Sequence, residues 1–318
     1  MARQKFPLWQ SVPLWFVTQG AGLAVSFLPR GLELLAGRAA GRLLFLFARR
    51  RRAISEENIR RCMGGMSEAE RRDLLRRNFA HFGILSLEIL HMFSPLPGHF
   101  KRYVQKISII EGTHNWRKAH DKGKGVLYAG SHLGNWEIVA AQGGLNKMGM
   151  TIVTRNLTPQ WFHDRMIRTR LSTGVASALR PRILPAVLTA LRRGESVVFA
   201  MDQYVAPDAG GIKARFFGIP VNTLGAVAVL AQKTGAAIVP GSAYRDDKGL
   251  VHVFIEPEIE LGDATGDIPQ STQKIVDRIE SYVRKHPEQW TWGHRRFKDV
   301  DWDDNDVPES AQDPAAYA

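Results

Sequence analysis

Residues 123–137, GKGVLYAGSHLGNWE, constrain the fold more than any other stretch. The apolar run 126–129 is too short for a helix and stops at Gly130-Ser131, which reads as a buried strand ending in a turn. His132 follows the turn, and Gly134-Asn135 open a helical pattern that carries Glu137. A strand, a histidine and a helix start therefore share one short segment. Further short apolar runs at 107–110, 151–154, 196–201, 237–241 and 251–255 alternate with helical stretches at 115–120, 136–147, 160–171, 185–193, 223–234 and 270–286. That alternation predicts an α/β domain whose central, largely parallel sheet is covered by helices on both faces.

Positions five apart on one helix point about 140° from each other, so His132 and Glu137 cannot meet if both lie within it. They can meet if His132 sits on the preceding loop and Glu137, in the first turn, reaches back. A carboxylate there would fix the imidazole tautomer and stabilise the imidazolium, which suits a base acting on a hydroxyl. Backbone N–H groups at the helix start could face an oxyanion. Taken alone, a histidine after a strand is more often an ordinary loop residue than a catalyst. A zinc helix would need His-Glu-x-x-His, and a nucleophile elbow Gly-x-Ser-x-Gly; here the serine of 130–134 stands one place early. No metal is expected.

In open α/β sheets ligands bind at the carboxyl ends of strands. The run at 151–154 is followed by Arg155, a guanidinium able to clamp a carboxylate, phosphate or oxyanion, and the run at 196–201 by Asp202-Gln203. Arg155 and Asp202 could equally pair as a structural bridge. Lys213 and Arg215 precede Phe216-Phe217-Gly218; this loop could flank a phosphorylated headgroup with its cations and line an acyl tunnel with its rings. Asn222-Thr223 reads as a helix N-cap. The block 290–298, with Trp290, Trp292, His294, Arg295, Arg296 and Phe297, fits either an interfacial anchor or a segment stapled to the core.

The His132-to-Glu137 motif, with Asp202-Gln203, Phe216-Phe217-Gly218 and Trp292-x-His294-Arg295-Arg296-Phe297 following in order, resembles the lipid A biosynthesis acyltransferases, the lauroyl and myristoyl transferases of the lysophospholipid acyltransferase superfamily. The resemblance runs from about residue 40 to 298 and implies an acyltransferase-like fold. Arg155, Arg170 and Asp202 match residues of the family's later blocks. It also implies an acyl thioester co-substrate, acyl-carrier protein or coenzyme A, with no further cofactor, and a lipid A precursor as acceptor. His132 would then be the base and Glu137 its partner, with Arg155, Arg170, Asp202, Gln203, Lys213 and Arg215 around the substrate. A lysophospholipid or other glycolipid acceptor, or a non-catalytic anionic-lipid-binding protein, are the rival readings.

The formal charge of +12 is unevenly spread. Residues 1–80 hold 15 Lys+Arg against 6 Asp+Glu, whereas 299–318 hold seven acids and no base. Residues 7–29 carry no charge at all, and 31–48 continue amphipathically to four arginines at 49–52. Apolar and basic character side by side point to an anionic membrane surface rather than nucleic acid. Residues 1–52 are therefore expected to form a membrane anchor, spanning or interfacial, with a buried helical hairpin as the alternative. The acyltransferase domain would occupy 53–298, face the cytoplasm at the inner membrane and act as a monomer; 299–318 would be a disordered acidic tail. Deleting residues 1–30 is expected to leave the catalytic site intact. The single cysteine, Cys62, excludes an intrachain disulfide.

Overall fold

Strands buried on both faces need helices on each side, and the chain supplies them in alternation. The computed structural model describes residues 7–300. Four helices come first: α1 (Leu8–Ser26), α2 (Arg30–Phe47), α3 (Arg49–Cys62) and α4 (Glu68–Leu90). Then follow α5 (His99–Ile107), β1 (Ser108–Glu111), α6 (Thr113–His120), β2 (Val126–Gly130), α7 (Trp136–Leu145), β3 (Met150–Val153) and α8 (Gln160–Ser172). The chain continues through β4 (Val175–Ala178), α9 (Ile183–Arg192), β5 (Ser196–Ala200), β6 (Gly211–Phe216), β7 (Ile219–Leu224), α10 (Ala226–Thr234), β8 (Ala237–Arg245), β9 (Val251–Ile255) and α11 (Ile268–Lys285).

The main sheet has the order β1-β9-β8-β2-β5-β3-β4, and every neighbouring pair is parallel except β8 with β9. Every residue of β2 is buried, and its side chains alternate between two cores. Leu127 and Ala129 pack with Ile275 and Ile279 of α11, whereas Val126 and Tyr128 pack with Ile138 and Val139 of α7. Each large apolar side chain so buried contributes about 1.5–3 kcal/mol. The expected strands and helices are found close to their predicted bounds. At α4 the capping box is complete: Ser67 accepts from the Glu70 amide while Glu70 accepts from that of Ser67.

Two predicted details are corrected. The short, alanine-containing β4 gave no apolar run, and 211–224 is an antiparallel hairpin rather than a loop leading to a helix. Its two-residue turn, Phe217-Gly218, has positive φ at both positions, a geometry usually announced by Asn-Gly or Asp-Gly. Asn222 and Thr223 therefore lie within β7, and α10 begins after Gly225 without a side-chain cap. The block 290–298 is stapled into the core, not spread on an interface: Trp290, Trp292, Arg296 and Phe297 are all buried.

Among the described residues no helix is long and apolar enough to cross a membrane. α3 runs through residue 52, where the anchor segment was expected to end, and Arg51 on the near side of it donates to the Gly293 carbonyl at 2.8 Å. At the crossing of α2 and α4 the backbones touch: a Cβ on Gly83 would stand 2.1 Å from the Gly37 carbonyl oxygen, and one on Gly41 2.4 Å from that of Phe79. Arg30 reaches into the body to Glu88 at 2.7 Å. The outer faces of α1 and α2 are nonetheless apolar and open, with Trp9 75%, Phe16 64% and Phe47 80% exposed. The expectation for the acidic tail concerns 301–318, which lie outside the described residues.

Because neither backbone at the crossing can yield cheaply, Gly83→Ala should destabilise the protein by about 1–3 kcal/mol despite alanine's better helix propensity. Gly20→Ala, with nothing within 4 Å of the added carbon, should be neutral or slightly stabilising. Thermal unfolding in detergent compares them; equal melting temperatures would show that the crossing is loose.

Candidate active site

The register of β2 on β5 builds the centre of the site. Gly130 is paired with Ala200, so His132 and Asp202, each two residues further on, leave neighbouring strands side by side. Asp202 Oδ2 accepts from the His132 backbone N–H at 2.7 Å and from Trp290 Nε1 at 2.8 Å. Asp202 Oδ1 lies 2.8 Å from His132 Nδ1. Burial alone would raise the Asp202 carboxyl, but His132 and these donors hold it at about 2. An ionised carboxylate only accepts, so Nδ1 carries the proton and Nε2 keeps the lone pair. For His132 burial opposes the charged form, yet the Asp202 charge and hydrogen bond, with Glu137 adding to them, outweigh burial and the repulsion from Arg155, and raise its pKa. Gln203 Nε2 stands 3.4 Å from His132 Nε2.

The partner of His132 is thus Asp202, not the expected Glu137. His132 does lie on the loop before α7 and Glu137 in its first turn, but both Glu137 oxygens are taken by Arg170 of α8, Nε to Oε2 at 2.9 Å and Nη2 to Oε1 at 2.6 Å. Burial lowers the Arg170 pKa and Glu137 more than restores it. Glu137 therefore acts on the imidazole through space. The proposed Arg155–Asp202 bridge is also absent, since Asp202 is engaged by His132 and Trp290 while Arg155 is exposed past β3.

The start of α7 is capped from within. Asn135 Oδ1 accepts from the amides of Glu137 and Ile138 at 3.1 and 3.2 Å, so these donors do not face a substrate oxyanion as expected. Asn135 Nδ2 in turn donates to Glu88 Oε2 at 2.9 Å. Glu88 is fully buried; burial pushes its carboxyl up, but Arg245 and Arg30 hold it at about 2. Its role is positional, through Asn135. Gly134, with φ 62°, closes the loop where a Cβ would stand 2.1 Å from the Ala243 carbonyl oxygen.

His132 opens on a cavity of about 320 Å³ at the carboxyl ends of β2, β3 and β5, walled by Ile152, Val153, Leu157, Phe162, Met166 and Phe199. The size falls at the lower end of the range of roughly 300–1,000 Å³ for small-molecule sites, and the walls suit a hydrocarbon chain. Glu137 and Arg170 also line it. Phe216 and Phe217, expected to line such a tunnel, are instead fully buried against Trp290 and Trp292. Lys213 faces a different cavity beside Tyr204 and Arg296, while Arg215 donates to the Gly218 carbonyl at 3.2 Å and lines neither. Among the described residues no group of acids, histidines or cysteines converges as a metal site.

Of these residues, Trp290, Asn135, Glu88 and Arg245 were not assigned to the site from sequence. Glu88 carried the one usable signal, an acid inside an apolar helical run. With this geometry established, similarity to known proteins becomes informative. The family described as Bacterial lipid A biosynthesis acyltransferase matches residues 5–299. The chain is 28% identical to the lipid A biosynthesis lauroyltransferase of Escherichia coli (strain K12) over 293 residues, covering 90% of this chain and 89% of that protein. It is 30% identical to the lipid A biosynthesis palmitoleoyltransferase of the same organism, covering 85% and 86%. A phosphatidylinositol mannoside acyltransferase of Mycolicibacterium smegmatis is 26% identical, over 69% of this chain and 70% of that one. The chain belongs to the bacterial lipid A biosynthesis acyltransferase family, and is an acyltransferase acting on lipid A or related glycolipids.

Proposed function

We propose that the chain transfers a fatty acyl group from a phosphopantetheine thioester to a hydroxyl of a lipid A precursor, with His132 as general base and Asp202 as its orienting partner. The carrying observation is the 2.8 Å contact of Asp202 with His132 Nδ1, which leaves the lone pair on Nε2, met by Gln203 Nε2 at 3.4 Å, on a histidine that lines an apolar cavity. The acceptor hydroxyl gives its proton to Nε2 as its oxygen attacks the thioester carbonyl. Asp202 compensates the imidazolium, and the Gln203 amide, close to Nε2, is placed to donate to the oxyanion. Collapse expels the thiolate, which takes the proton back from Nε2. The acyl chain lies in the cavity; Glu137 and Arg170 fix its polar wall, and Arg155 adds positive potential at the mouth.

Acyl-carrier protein, itself acidic, is the donor favoured by the chain's basic surface; coenzyme A carries the same thioester. The similarity to a phosphatidylinositol mannoside acyltransferase supports a second reading, another glycolipid as acceptor. Mass spectrometry of products from both acceptors separates the two. The enzyme acts as a monomer at the inner membrane, facing the cytoplasm. It is held there by the open apolar faces of α1 and α2 lying in the interface, with the arginines at 49–52 toward anionic headgroups.

His132→Ala and Asp202→Asn should each lower turnover by about two to four orders of magnitude with the fold retained. The base works only when neutral and its pKa is raised, so kcat/KM should climb with pH through an inflection above 6.5. Asp202→Asn should move that inflection down. An unshifted inflection in this variant would remove Asp202 from the mechanism.

Breaking one half of the buried Glu137–Arg170 pair strands a charge. Glu137→Gln and Arg170→Gln should each cost about 3–5 kcal/mol of stability, and the double variant much less than their sum. Strict additivity of the unfolding free energies would contradict the pairing.

Full-length protein should remain on anionic vesicles at about 1 M salt, where exposed charges are screened within about 3 Å, and need detergent for release. Replacing the exposed Trp9, Phe16 and Phe47 by serine should leave the melting temperature unchanged but make binding salt-sensitive. Release of the unaltered protein by salt alone would rule out apolar docking.

A further inference from the structure

Tyr204, just past Asp202 and Gln203 in the chain, helps line a second cavity of about 400 Å³, together with Lys213, Pro220, Asn222, Arg296 and Asp299, among others. Its floor is unusual. Arg296 is only 1% exposed, yet among the described residues the one hydrogen bond of its guanidinium runs from Nη2 to Thr223 Oγ1 at 3.0 Å, while Nε and Nη1 find no partner there. The guanidinium lies 4.4 Å over the Phe216 ring, a contact that satisfies neither donor.

The nearby carboxylates are occupied. Asp202 serves His132 and Trp290, and Glu280 accepts from Phe217 N and from Arg284. Burial pulls the Arg296 pKa down to about 10, the mark of a cation whose lost hydration is not replaced. Such a group is expensive to keep unless something binds to it. Lys213 lines the same cavity from β6, opposite Asn222 of β7, while Lys298, outside the lining, holds Nζ 3.9 Å over the Tyr204 ring. Among the described lining residues the two cations Arg296 and Lys213 face one acid, Asp299, which accepts a hydrogen bond from the Tyr204 hydroxyl.

We propose that this cavity is an anion subsite that takes a phosphoryl group of a substrate, gripped by Arg296 and Lys213 with Asn222 as a neutral donor. A planar fork with two free N–H groups matches phosphate oxygens, and a nearby lysine supplies a point charge. The placement gives the grip a purpose. Val205 N donates to the Asn222 carbonyl at 3.3 Å, so the hairpin that carries Lys213 is tied to the loop that carries Asp202 and Gln203. A phosphate anchored beside this loop would set how far a substrate reaches toward His132. This inference rests on the acyl-transfer reading above. The phosphate belongs either to a phosphorylated glycolipid acceptor or to the phosphodiester of the phosphopantetheine donor.

Binding is tested without catalysis by thermal unfolding of the full-length protein in detergent, with inorganic phosphate or pyrophosphate against chloride at equal ionic strength. The melting temperature should rise with phosphate, and the rise should be absent in Lys213→Gln and in Arg296→Met. No phosphate-specific rise in the unaltered protein, or the same rise in both variants, overturns the subsite. Kinetics then identify the source. Lys213→Gln should raise KM about tenfold for the phosphate-bearing substrate and change kcat less, the loss expected for one charge-assisted contact. If the acceptor supplies the phosphate, the unaltered enzyme should prefer it to its phosphatase-treated form and the variant should not; if the donor does, the donor KM should rise instead. Unchanged KM values for both substrates overturn the proposal while leaving acyl transfer standing. If neither acceptor is acylated, the reading of the reaction fails and the melting experiment alone decides the subsite.

Discussion

The parallel pairing of β2 with β5 is the constraint on which the site depends. It places residues two beyond Gly130 and Ala200 next to each other, and those residues are His132 and Asp202. Neither strand encodes the meeting alone, because β5 follows β4 in the chain and returns to insert between β2 and β3. Asp202 then uses both oxygens: one meets Nδ1, and the other accepts from the His132 amide and the Trp290 indole. The C-terminal block is thereby locked to the catalytic loop. Burying tryptophan and arginine there contributes packing, and it also supplies the donor that helps keep a buried carboxylate ionised.

A second constraint is the buried charge network under α7. Glu88 receives Arg245, Arg30 and Asn135, and Asn135 caps the helix that carries Glu137. Such networks are often no more stabilising than apolar packing of equal volume, but removing one member strands the others at several kcal/mol. Their product is a defined geometry. The angle at which α7 leaves the His132 loop is set by Gly134 on one side and by Asn135 on the other.

What could be read from the sequence follows from how local each signal is. Short apolar runs bounded by glycine marked the sheet, since each is written within a few residues. The histidine on its loop and Glu137 in the first helical turn were visible for the same reason. Which carboxylate meets the imidazole was not, because the choice depends on strand order and on Arg170, far along the chain, claiming Glu137. The hairpin at 211–224 escaped because Phe217-Gly218 is an uncommon pair for a turn with positive φ at both positions. The aromatic and basic residues at 290–298 have the composition of an interface, and only their burial reveals a core.

The N-terminal helices show why composition and placement must be weighed together. Their outer faces are apolar enough to meet a lipid surface, while their inner faces are welded to the body by the glycine crossing of α2 on α4 and by Arg30. Arg30 donates to Glu88, and Glu88 holds Asn135 at the head of α7. The apolar outer face is therefore two hydrogen-bonded links from the helix that borders His132. Deleting residues 1–30, expected from sequence to spare the site, would remove Arg30 from this chain of hydrogen bonds. Losing Arg30 would leave Glu88 with one fewer cation in a site where its charge is wholly desolvated, and the disturbance would pass to Asn135 before it reached any lipid. Under the proposed function, the depth at which α1 and α2 would settle in an interface would therefore also set the height of His132 above it.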